Sequence, residues 1–410
     1  MMLDTKTIEI IKSTVPVLEK HGEDITKTFY KLMFTNHPEL LNIFNHANQK
    51  QGRQQKALAN SVYAAAKYID QLEVILPVVT QIAHKHRSLG IKPEHYPIVG
   101  EHLILAIKEV LKDAATDEII EAWTKAYGVI AGAFIGLEKS LYDEASQKPG
   151  GWKDFRTFNV TKKVKESDVI TSFYFSPVDG GDIAAYLPGQ YISVKLNIQG
   201  EEFTHIRQYS LSDSPEKAYY RISVKKEDGT NGKPEGKISN YLHNELKEGD
   251  QIEISAPAGE FVLEQTDKSI VLLSGGVGIT PMLSMLRHLD ASGMTNETSF
   301  IHAAINGNVH AFAEEVKNIE ENNQLVKAYF CYENPSEKDK EEKAYNKEGY
   351  ITSEWLKTIV SDMDSLVYMC GPVPFMQAMY EALLESGFKK ENIRYEFFGP
   401  SMELKEPQSV

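Results

Sequence analysis

The hydrophobic pattern changes twice along this chain of 410 residues, and no other feature constrains the fold as strongly. Residues 1 to about 145 show helical periodicity, as in TFYKLMFTNHPELLNIF (Thr28–Phe44), and contain no alternating strand pattern. SQKPGGW (Ser146–Trp152) then breaks the pattern with a proline and two glycines. Since a chain of this length exceeds what one hydrophobic core usually serves, we expect several domains, the first all-helical and covering residues 1–145.

The second region, residues 152–263, consists of short alternating segments separated by proline, glycine and aspartate. The segments are FRTFNVTKKV, QYISVKL, YYRISVKK and DQIEISAP. This pattern predicts an antiparallel β-barrel or sandwich. The third region, residues 264–410, alternates apolar strands with amphipathic helices, as in SIVLLSGGVGITPMLSMLRHL, and predicts an α/β domain with a parallel sheet.

Composition excludes several classes of protein. A net charge of −14 argues against a nucleic-acid partner or an anionic membrane surface, because both demand excess lysine and arginine. Two cysteines cannot form a disulfide framework and favour a reducing cytoplasm. The N-terminus shows no signal-peptide pattern, and the longest apolar run, GVIAGAFIGL (Gly128–Leu137), is too short to span a bilayer. We therefore expect a cytoplasmic protein, and we also expect it to be a monomer.

A glycine-rich loop, LLSGGVGITP (Leu272–Pro281), follows an apolar strand and opens a predicted helix, with Thr280 as its expected cap. Glycines let backbone N–H groups approach a pyrophosphate at a helix N-terminus, although a bare glycine turn is an equal alternative. YMCGPVPFM (Tyr368–Met376) should place a second loop at the same sheet edge, which favours a nucleotide site. The candidate NAD(P)-binding residues are Gly275, Gly276, Val277, Gly278, Ile279, Thr280, Cys370, Gly371 and Pro372.

HIRQYSLSDSP (His205–Pro215) by itself is also compatible with a tyrosine–arginine pair on a solvated strand face. In order along the chain, however, LPGQY, HIRQYSLSDSP, EGKISNYLHNEL, SAPAGEF and GGVGITP resemble the ferredoxin–NADP reductase superfamily over roughly the last 260 residues. The resemblance implies a flavin-binding barrel followed by a nicotinamide-binding domain. It implies that Arg207 holds FAD phosphate, Tyr209 stacks on the flavin and Ser210 bonds near its reactive nitrogen. The remaining residues implied for FAD are Tyr191, Gln208, Gly236, Ser239, Glu396, Phe397, Phe398, Gly399 and Pro400.

Three histidines lie in IAHKHRSLGIKPEHY (Ile82–Tyr96) of the helical region. His86 continues an apolar stripe through Val79 and Ile82, which predicts a buried position, whereas His84 and His95 are expected at the surface. A lone histidine on an apolar face is more often a core residue than a metal ligand.

The helical segments resemble a globin, and the whole chain resembles the flavohaemoglobins of bacteria and yeasts. The resemblance implies haem b, with His86 as its iron ligand and Tyr96 and Glu138 as partners of that ligand. It places Tyr30 and Gln54 on the distal side, although Gln55 competes with Gln54. It also implies Phe44, Leu58 and Lys85 in the haem pocket, and Glu396 as an acid between flavin and haem.

The reaction implied by this resemblance is nitric oxide dioxygenation, in which NO and O₂ become nitrate at the expense of NAD(P)H through FAD and haem. An O₂ sensor or store with its own reductase is one alternative. A reductase for hydroperoxides or other acceptors is another, and a cofactor-free regulatory helical domain is a third. No acidic residue follows TSFIHAAI to hold a ribose hydroxyl, so the choice between NADH and NADPH stays open.

Overall fold

The computed structural model describes residues 3–45, 49, 51–229, 235–293, 295–399 and 404–405. The helices are α1 (Thr5–Ser13), α2 (Val15–Asn36), α3 (Arg53–Lys67), α4 (Leu76–Leu89), α5 (His95–Leu111), α6 (Asp117–Gln147), α7 (Lys237–Asn244), α8 (Ile279–Ala291), α9 (Ala313–Asn322), α10 (Glu337–Glu342), α11 (Ser353–Ile359) and α12 (Val373–Ser386). The strands are β1 (Phe155–Lys165), β2 (Ile170–Pro177), β3 (Tyr191–Leu196), β4 (His205–Ser210), β5 (Tyr220–Lys225), β6 (Gln251–Ser255), β7 (Ile270–Gly275), β8 (Thr298–Ala304), β9 (Val326–Tyr332), β10 (Lys347–Glu348), β11 (Leu366–Cys370) and β12 (Ile393–Glu396). Within these ranges, every helix is too short or too polar to cross a membrane.

Local chemistry sets the ends of the helices in the first domain. α6 starts after Thr116, whose side chain accepts a hydrogen bond from the backbone of Ile119, and ends shortly before Pro149. The helical spacing within Thr28–Phe44 is interrupted after Asn36, where α2 ends, because Pro38 lacks an N–H and opens a 3-10 turn. Packing of these helices buries an aromatic and aliphatic core that contains Phe29, Met33, Leu103, Ile107 and Trp123.

The buried face of α4 is not the predicted one. Ala83, Arg87 and Ser88 are buried, whereas Val79 and Ile82 on the predicted stripe are only half-buried. The side chain of His86 on that stripe is 32% exposed. Within the protein itself α4 therefore buries its Ala83–Arg87 side, which faces the next domain, more fully than the predicted stripe.

The second domain is a closed antiparallel barrel. Its strands follow the order β4-β3-β6-β1-β2-β5, and a bridge between Leu211 and Ile222 links the end of β4 to β5. This closure decides between the barrel and the sandwich, which the strand pattern left open. Strand β2 was not predicted, since its sequence ITSFYFSP is buried at five of eight positions, four of them consecutive, and does not alternate.

The third domain is a six-stranded sheet with every recorded pairing parallel, in the order β10-β9-β8-β7-β11-β12. Two apolar clusters contain alternating residues of its strands, so helices cover both faces. From β7 the chain runs to β8 on one side and later returns to β11 on the other. Open α/β sheets bind ligands at such a switch point, beyond the carboxyl ends of the strands. The predicted fold class is confirmed in all three regions.

A buried ionic cluster joins the barrel to the parallel-sheet domain. Arg287 of α8 contacts Asp213 at 2.8 Å and Glu315 of α9 at 3.1 Å. Arg221 of β5 lies 3.6 Å from both acids. Asp213 and Arg221 are almost fully buried, so water screens these charges weakly.

Candidate functional site

One carboxylate oxygen of Glu138 gathers two other residues that were predicted to cooperate. It lies 2.7 Å from His86 Nδ1 and accepts a hydrogen bond of 2.6 Å from the Tyr96 hydroxyl. His86 comes from α4, Tyr96 from the first turn of α5 and Glu138 from α6, where it is 3% exposed. Three separate helices therefore bring this trio together, in the register that the sequence predicted for Glu138.

The trio determines which nitrogen of His86 can bind a metal. Nδ1 faces Glu138 and the more distant Tyr96 hydroxyl, and Nε2 makes no hydrogen bond within the described ranges. A carboxylate at Nδ1 holds the imidazole in one tautomer and strengthens electron donation through Nε2. Burial and the neighbouring Glu138 carboxylate raise the pKa of the Tyr96 phenol, so Tyr96 stays protonated and donates its hydrogen bond. This donor set fits haem iron held by a proximal histidine.

A second group of predicted residues surrounds the hydroxyl of Tyr30. Tyr30 is buried, and its ring contacts that of Phe44 edge-on, with centroids 5.8 Å apart. Burial raises the pKa of the phenol, while hydrogen-bonding amides of Gln54 and Gln49 act in the opposite direction. Leu58 packs against the same core one turn after Gln54. These contacts place the predicted distal residues Tyr30, Phe44, Gln54 and Leu58 together.

Gln54 and Gln55 have different surroundings. The side chain of Gln55 turns toward Gln49, donating to its carbonyl at 3.1 Å and to its side-chain oxygen at 2.9 Å. Gln54 instead approaches Tyr30. The Oε1 atoms of both glutamines are buried without a hydrogen-bond partner in the described part of the chain, so the approach to Tyr30 is what distinguishes Gln54. An unsatisfied buried amide beside a buried phenol is what a pocket for a small polar ligand requires.

Lys85, Glu396 and Tyr191 bring all three domains together. Burial raises the pKa of Glu396 to about 8, and the ammonium of Lys85 opposes that rise. Burial also lowers the pKa of Lys85, with Glu396 acting against it. The charge of Glu396 reaches Tyr191 on β3 as well, where it helps to raise the pKa of the phenol. The charge of the acid predicted between flavin and haem therefore acts on residues of both the proximal helix and the barrel.

The predicted flavin residues lie on neighbouring strands of the barrel. The pairing of β3 with β4 sets Tyr191 opposite Ser210, and Arg207 lies two residues before Tyr209 on one side of β4. Gln208, on the alternate side, donates to Ser193 at 3.2 Å. Arg207 is half-buried and bonds only the adjacent backbone carbonyl, at 2.7 Å. Among the described residues no carboxylate lies within 4 Å of its guanidinium, which leaves the positive charge for a phosphate.

Gly236 and Ser239 form hydrogen bonds with each other and with Glu227. The Ser239 hydroxyl donates to the Gly236 carbonyl at 2.9 Å and accepts from the Glu227 backbone at 3.1 Å. The N–H of Gly236 donates to the carbonyl of Glu227. Both residues thus shape the start of α7, and its first backbone amides are the donors that remain for a pyrophosphate.

The chain after β12 carries the remaining flavin candidates. Phe397 packs beside Tyr395, with ring centroids 5.6 Å apart, and Phe398 is 48% exposed. Gly399 is exposed as well, and Pro400 lies outside the described residues. β12 is also an ordinary edge strand paired with β11, and the flavin contact of the tail stays a prediction.

The two glycine-containing loops of the third domain touch at the switch point. A Cβ on Gly278 would lie 2.1 Å from the carbonyl oxygen of Cys370 and 2.8 Å from the nitrogen of Gly371. Gly276 adopts φ +54°, a conformation that favours glycine. Val277 is half-buried, and Pro372 immediately precedes α12. This close approach leaves backbone groups of both loops at the carboxyl edge of β7 and β11.

One detail of the predicted nucleotide loop is wrong, and two of its side chains are buried. Thr280 does not cap α8, which begins at Ile279, and its hydroxyl instead donates to the carbonyl of Val277 at 3.0 Å. The side chains of Ile279 and Cys370 are fully buried, so only their backbones face the edge. Burial raises the pKa of the Cys370 thiol, which keeps it protonated.

The histidines expected at the surface are both half-buried. His84 Nδ1 faces the backbone N–H of Gly259 in the barrel at 3.4 Å, and burial lowers its pKa to about 4. His95 accepts from the backbone of Lys92 at 3.1 Å. The expectation of surface positions is wrong for both, because α4 and α5 pack at domain and helix contacts.

Sequence reasoning missed Phe375 and Arg87. The ring of Phe375 packs closely on both glycine loops. A Cβ on Gly275 would lie 3.0 Å from the ring, and a Cβ on Gly371 would lie 2.6 Å from it. Arg87 is buried between the first two domains. Phe375 follows the glycine–proline junction and was detectable by position, whereas nothing in the local sequence marks Arg87.

Comparison with known proteins now places this geometry in a family. Family models match as a globin at residues 27–134, an oxidoreductase FAD-binding domain at 157–263 and an oxidoreductase NAD-binding domain at 272–381. The flavohemoprotein of Bacillus cereus is 60% identical over 404 residues, covering 98% of this chain and all of that protein. The chain belongs to the flavohemoprotein family.

Other flavohemoproteins support the same assignment. The Bacillus subtilis protein is 54% identical, covering 98% of this chain and 99% of its own length. A crystal structure of a Malassezia yamatoensis flavohemoglobin with bound FAD and heme superposes with a TM-score of 0.84 at 29% identity, covering 97% of this chain and all of that one. The predicted family and the predicted cofactors haem, FAD and NAD(P)H are confirmed.

Proposed function

We propose that this flavohemoprotein is a nitric oxide dioxygenase that converts NO and O₂ to nitrate with electrons from NADH or NADPH. The observation that carries the proposal is the pairing of a carboxylate-supported histidine with a buried phenol and amide in one globin domain. A similar reductase, the FAD/NAD-binding domain of nitric oxide dioxygenase from Vibrio cholerae, is 36% identical over 60% of this chain, with a TM-score of 0.55.

The electron count agrees with the domain order. Forming one nitrate from one NO and one O₂ consumes one electron, so one hydride serves two turnovers. When bound, FAD accepts a hydride and passes on single electrons, and haem iron activates O₂. Arg207 and the start of α7 hold FAD, and the two glycine loops hold the nicotinamide nucleotide beside it.

The residues of the globin domain have distinct roles in this proposal. Glu138 and Tyr96 orient His86 and increase its electron donation to iron. The hydroxyl of Tyr30 and the amide of Gln54 donate hydrogen bonds where negative charge develops on oxygen, in a pocket that Phe44 and Leu58 keep dry. Lys85 and Glu396 lie between the flavin and haem sites.

The same proposal includes a monomeric state, a cytoplasmic location and three domains with the boundaries 1–145, 152–263 and 264–410.

The test is nitrate formation by the purified protein. Supplied with NADH, O₂ and NO, it should consume NO rapidly and form nitrate in equal amount. Tyr30→Phe should lower that rate about 100-fold or more, since it removes a donor to the reacting oxygen. Reduction of ferricyanide by NADH, which needs only the flavin, should be unchanged in the same variant.

Two results would reject the proposal in favour of a specific alternative. An NADH consumption rate that does not rise when NO is added indicates an O₂ store or sensor whose iron is kept ferrous. Turnover of hydroperoxide at a rate that exceeds NO consumption indicates a peroxide reductase.

A further inference from the structure

Arg87 joins the helix that carries the proximal histidine to the flavin-binding barrel. Its Nη1 donates to the carbonyl of Ala256 at 2.9 Å, and its Nη2 donates to the carbonyl of Pro257 at 2.5 Å. The residue is 6% exposed and adjoins His86 in the sequence. Its two acceptors follow β6, so each hydrogen bond crosses from the first domain to the second.

The segment that accepts these bonds also holds a flavin-site residue. Ala258 and Tyr191 exchange two backbone hydrogen bonds of 2.9 Å, which ties the segment after β6 to the start of β3. Gly259 approaches His84, one turn of α4 before Arg87. The path from His86 to Tyr191 therefore runs through one arginine side chain and a short piece of paired backbone.

The energetics of Arg87 indicate positioning rather than stability. Among the described residues no carboxylate lies within 4 Å of its guanidinium, and its buried Nε has no hydrogen-bond partner. Burial accordingly lowers its pKa. A buried cation with incomplete partners stabilises a fold poorly, and an apolar side chain of similar volume would serve that purpose better. The rigid guanidinium instead fixes the distance and angle between two adjacent carbonyls and α4.

We infer that Arg87 is a positioning residue for electron transfer from flavin to haem: it docks α4 on the Ala256–Pro257 backbone and so sets the separation of the two cofactors. Arg87 touches neither reacting centre. The inference rests on the electron route of the proposed function, in which one electron leaves reduced FAD and converts ferric haem iron to ferrous. It does not depend on NO being the substrate.

The experiment separates the two electron steps in the full-length holoprotein under CO. Stopped-flow mixing with NADH reports flavin reduction as bleaching near the flavin band and haem reduction as growth of the ferrous–CO Soret band. Arg87→Gln should leave flavin reduction unchanged and slow haem reduction by roughly tenfold or more, because small displacements of reacting groups have large rate effects. Arg87→Lys keeps the charge but can reach only one carbonyl. Its haem-reduction rate should lie between those of the parent protein and Arg87→Gln.

A structural readout accompanies the kinetics. Hydrogen exchange of the backbone amides at 258–260 should accelerate in Arg87→Gln, while the Soret position after reduction with dithionite and CO stays that of the parent. Lys139→Gln is the matched control, because it removes an exposed cation from the same domain that pairs only with Asp143.

Either of two outcomes overturns the inference. Parental haem-reduction rates in both Arg87 variants mean that the docking does not depend on this residue. A shifted Soret band, or equal slowing of flavin and haem reduction, means that Arg87 supports folding in general. A failure of the NO-dioxygenase proposal would show as missing nitrate with both electron steps intact, and is therefore distinguishable.

Discussion

The carboxylate of Glu138 is buried in the helical domain, where His86 and Tyr96 are its hydrogen-bond donors. Among the described residues no lysine or arginine lies within 4 Å of it. The negative charge is therefore shared chiefly with the imidazole of His86. Glu138→Gln should weaken electron donation to iron, because a neutral amide cannot draw the Nδ1 proton as strongly. We expect a lower iron–histidine stretching frequency by resonance Raman, a higher haem reduction potential and a roughly 10- to 100-fold loss of turnover.

Tyr96→Phe is the matched control, since it removes one donor to Glu138 and leaves the contact with His86 in place. Its stretching frequency should lie much nearer to that of the parent protein. Equal frequencies in the parent and in Glu138→Gln would contradict the role assigned to the carboxylate.

Two buried histidines in the nucleotide domain predict a dependence of stability on pH. The rings of His302 and His310 lie 4.4 Å apart, bonded to Ser274 and Tyr332 respectively, each at 2.8 Å. Burial lowers the pKa of His302 to about 3 and that of His310 well below its usual value. Both are neutral when folded, whereas the unfolded chain binds protons near pH 6.5. Stability should therefore fall as pH falls from about 6.5 toward 3, by about 1.4 kcal/mol per pH unit for each histidine.

Thiol labelling measures this effect in the intact protein. Cys331 and Cys370 are both buried in this domain and react only when it opens. Labelling rates at pH 7 and pH 5, each divided by the rate of the unfolded chain at that pH, give the free energy of opening. A His302→Asn, His310→Asn double variant should lose most of the dependence. If the free energy of opening depended on pH in that variant as it does in the parent protein, other groups would be responsible for the dependence.

At the scale of secondary-structure elements, the nucleotide site depends on how closely two loops approach each other. Gly278 packs against the carbonyl of Cys370, where a Cβ would lie 2.1 Å from the oxygen and 2.4 Å from the carbon. Since neither backbone can move freely, Gly278→Ala should separate β7 from β11 at their carboxyl ends. We expect a loss of about 1–3 kcal/mol in stability and a raised KM for NADH.

Gly128→Ala provides the control for this substitution. Gly128 lies inside α6 with open space around a Cβ, so alanine should leave the KM for NADH unchanged and stabilise the helix by about 1 kcal/mol. A parental KM in Gly278→Ala would mean that the loops tolerate displacement.

At the scale of the whole molecule, the ionic cluster around Asp213 sets the orientation of the barrel and the nucleotide domain. Asp213 pairs with Arg287 across this interface and with Arg221 in the barrel. Asp213→Asn leaves the buried guanidinium of Arg221 and the partly buried guanidinium of Arg287 with one fewer anion. Breaking a buried ion pair in this way typically destabilises a protein by about 3–5 kcal/mol. Calorimetry of the full-length chain should show the transitions of the two domains separating, and hydride transfer from NADH to FAD should slow.

Glu216→Gln is the comparison for Asp213→Asn. Glu216 pairs with His288 across the same interface at 2.6 Å, but both side chains are partly exposed. Its loss should change stability by less than about 1 kcal/mol. Equal effects of the two substitutions would contradict the importance of burial.

Most of the architecture was predictable because local patterns report it directly. Helical spacing, strand alternation and the SQKPGGW break are properties of neighbouring residues, and they gave the three domain types in the right order. The resemblance to flavohaemoglobins supplied His86, Tyr96, Glu138, Tyr30 and Gln54, which the structure brings together in two groups. Thr280 as a cap failed because α8 starts at Ile279, two residues before Pro281.

The sequence by itself determined the fold class of each domain, which follows from short-range periodicity. Its resemblance to flavohaemoglobins supplied the residues that are expected to hold haem, flavin and nicotinamide. Only the tertiary structure decided which face of α4 is buried, that the barrel is closed, and that Arg87, Lys85 and Asp213 sit at the contacts between domains. The contacts of Arg87, Lys85 and Asp213 across domain boundaries depend on how finished domains dock. No local pattern records that docking, because its energy comes from surfaces that exist only after each domain has folded.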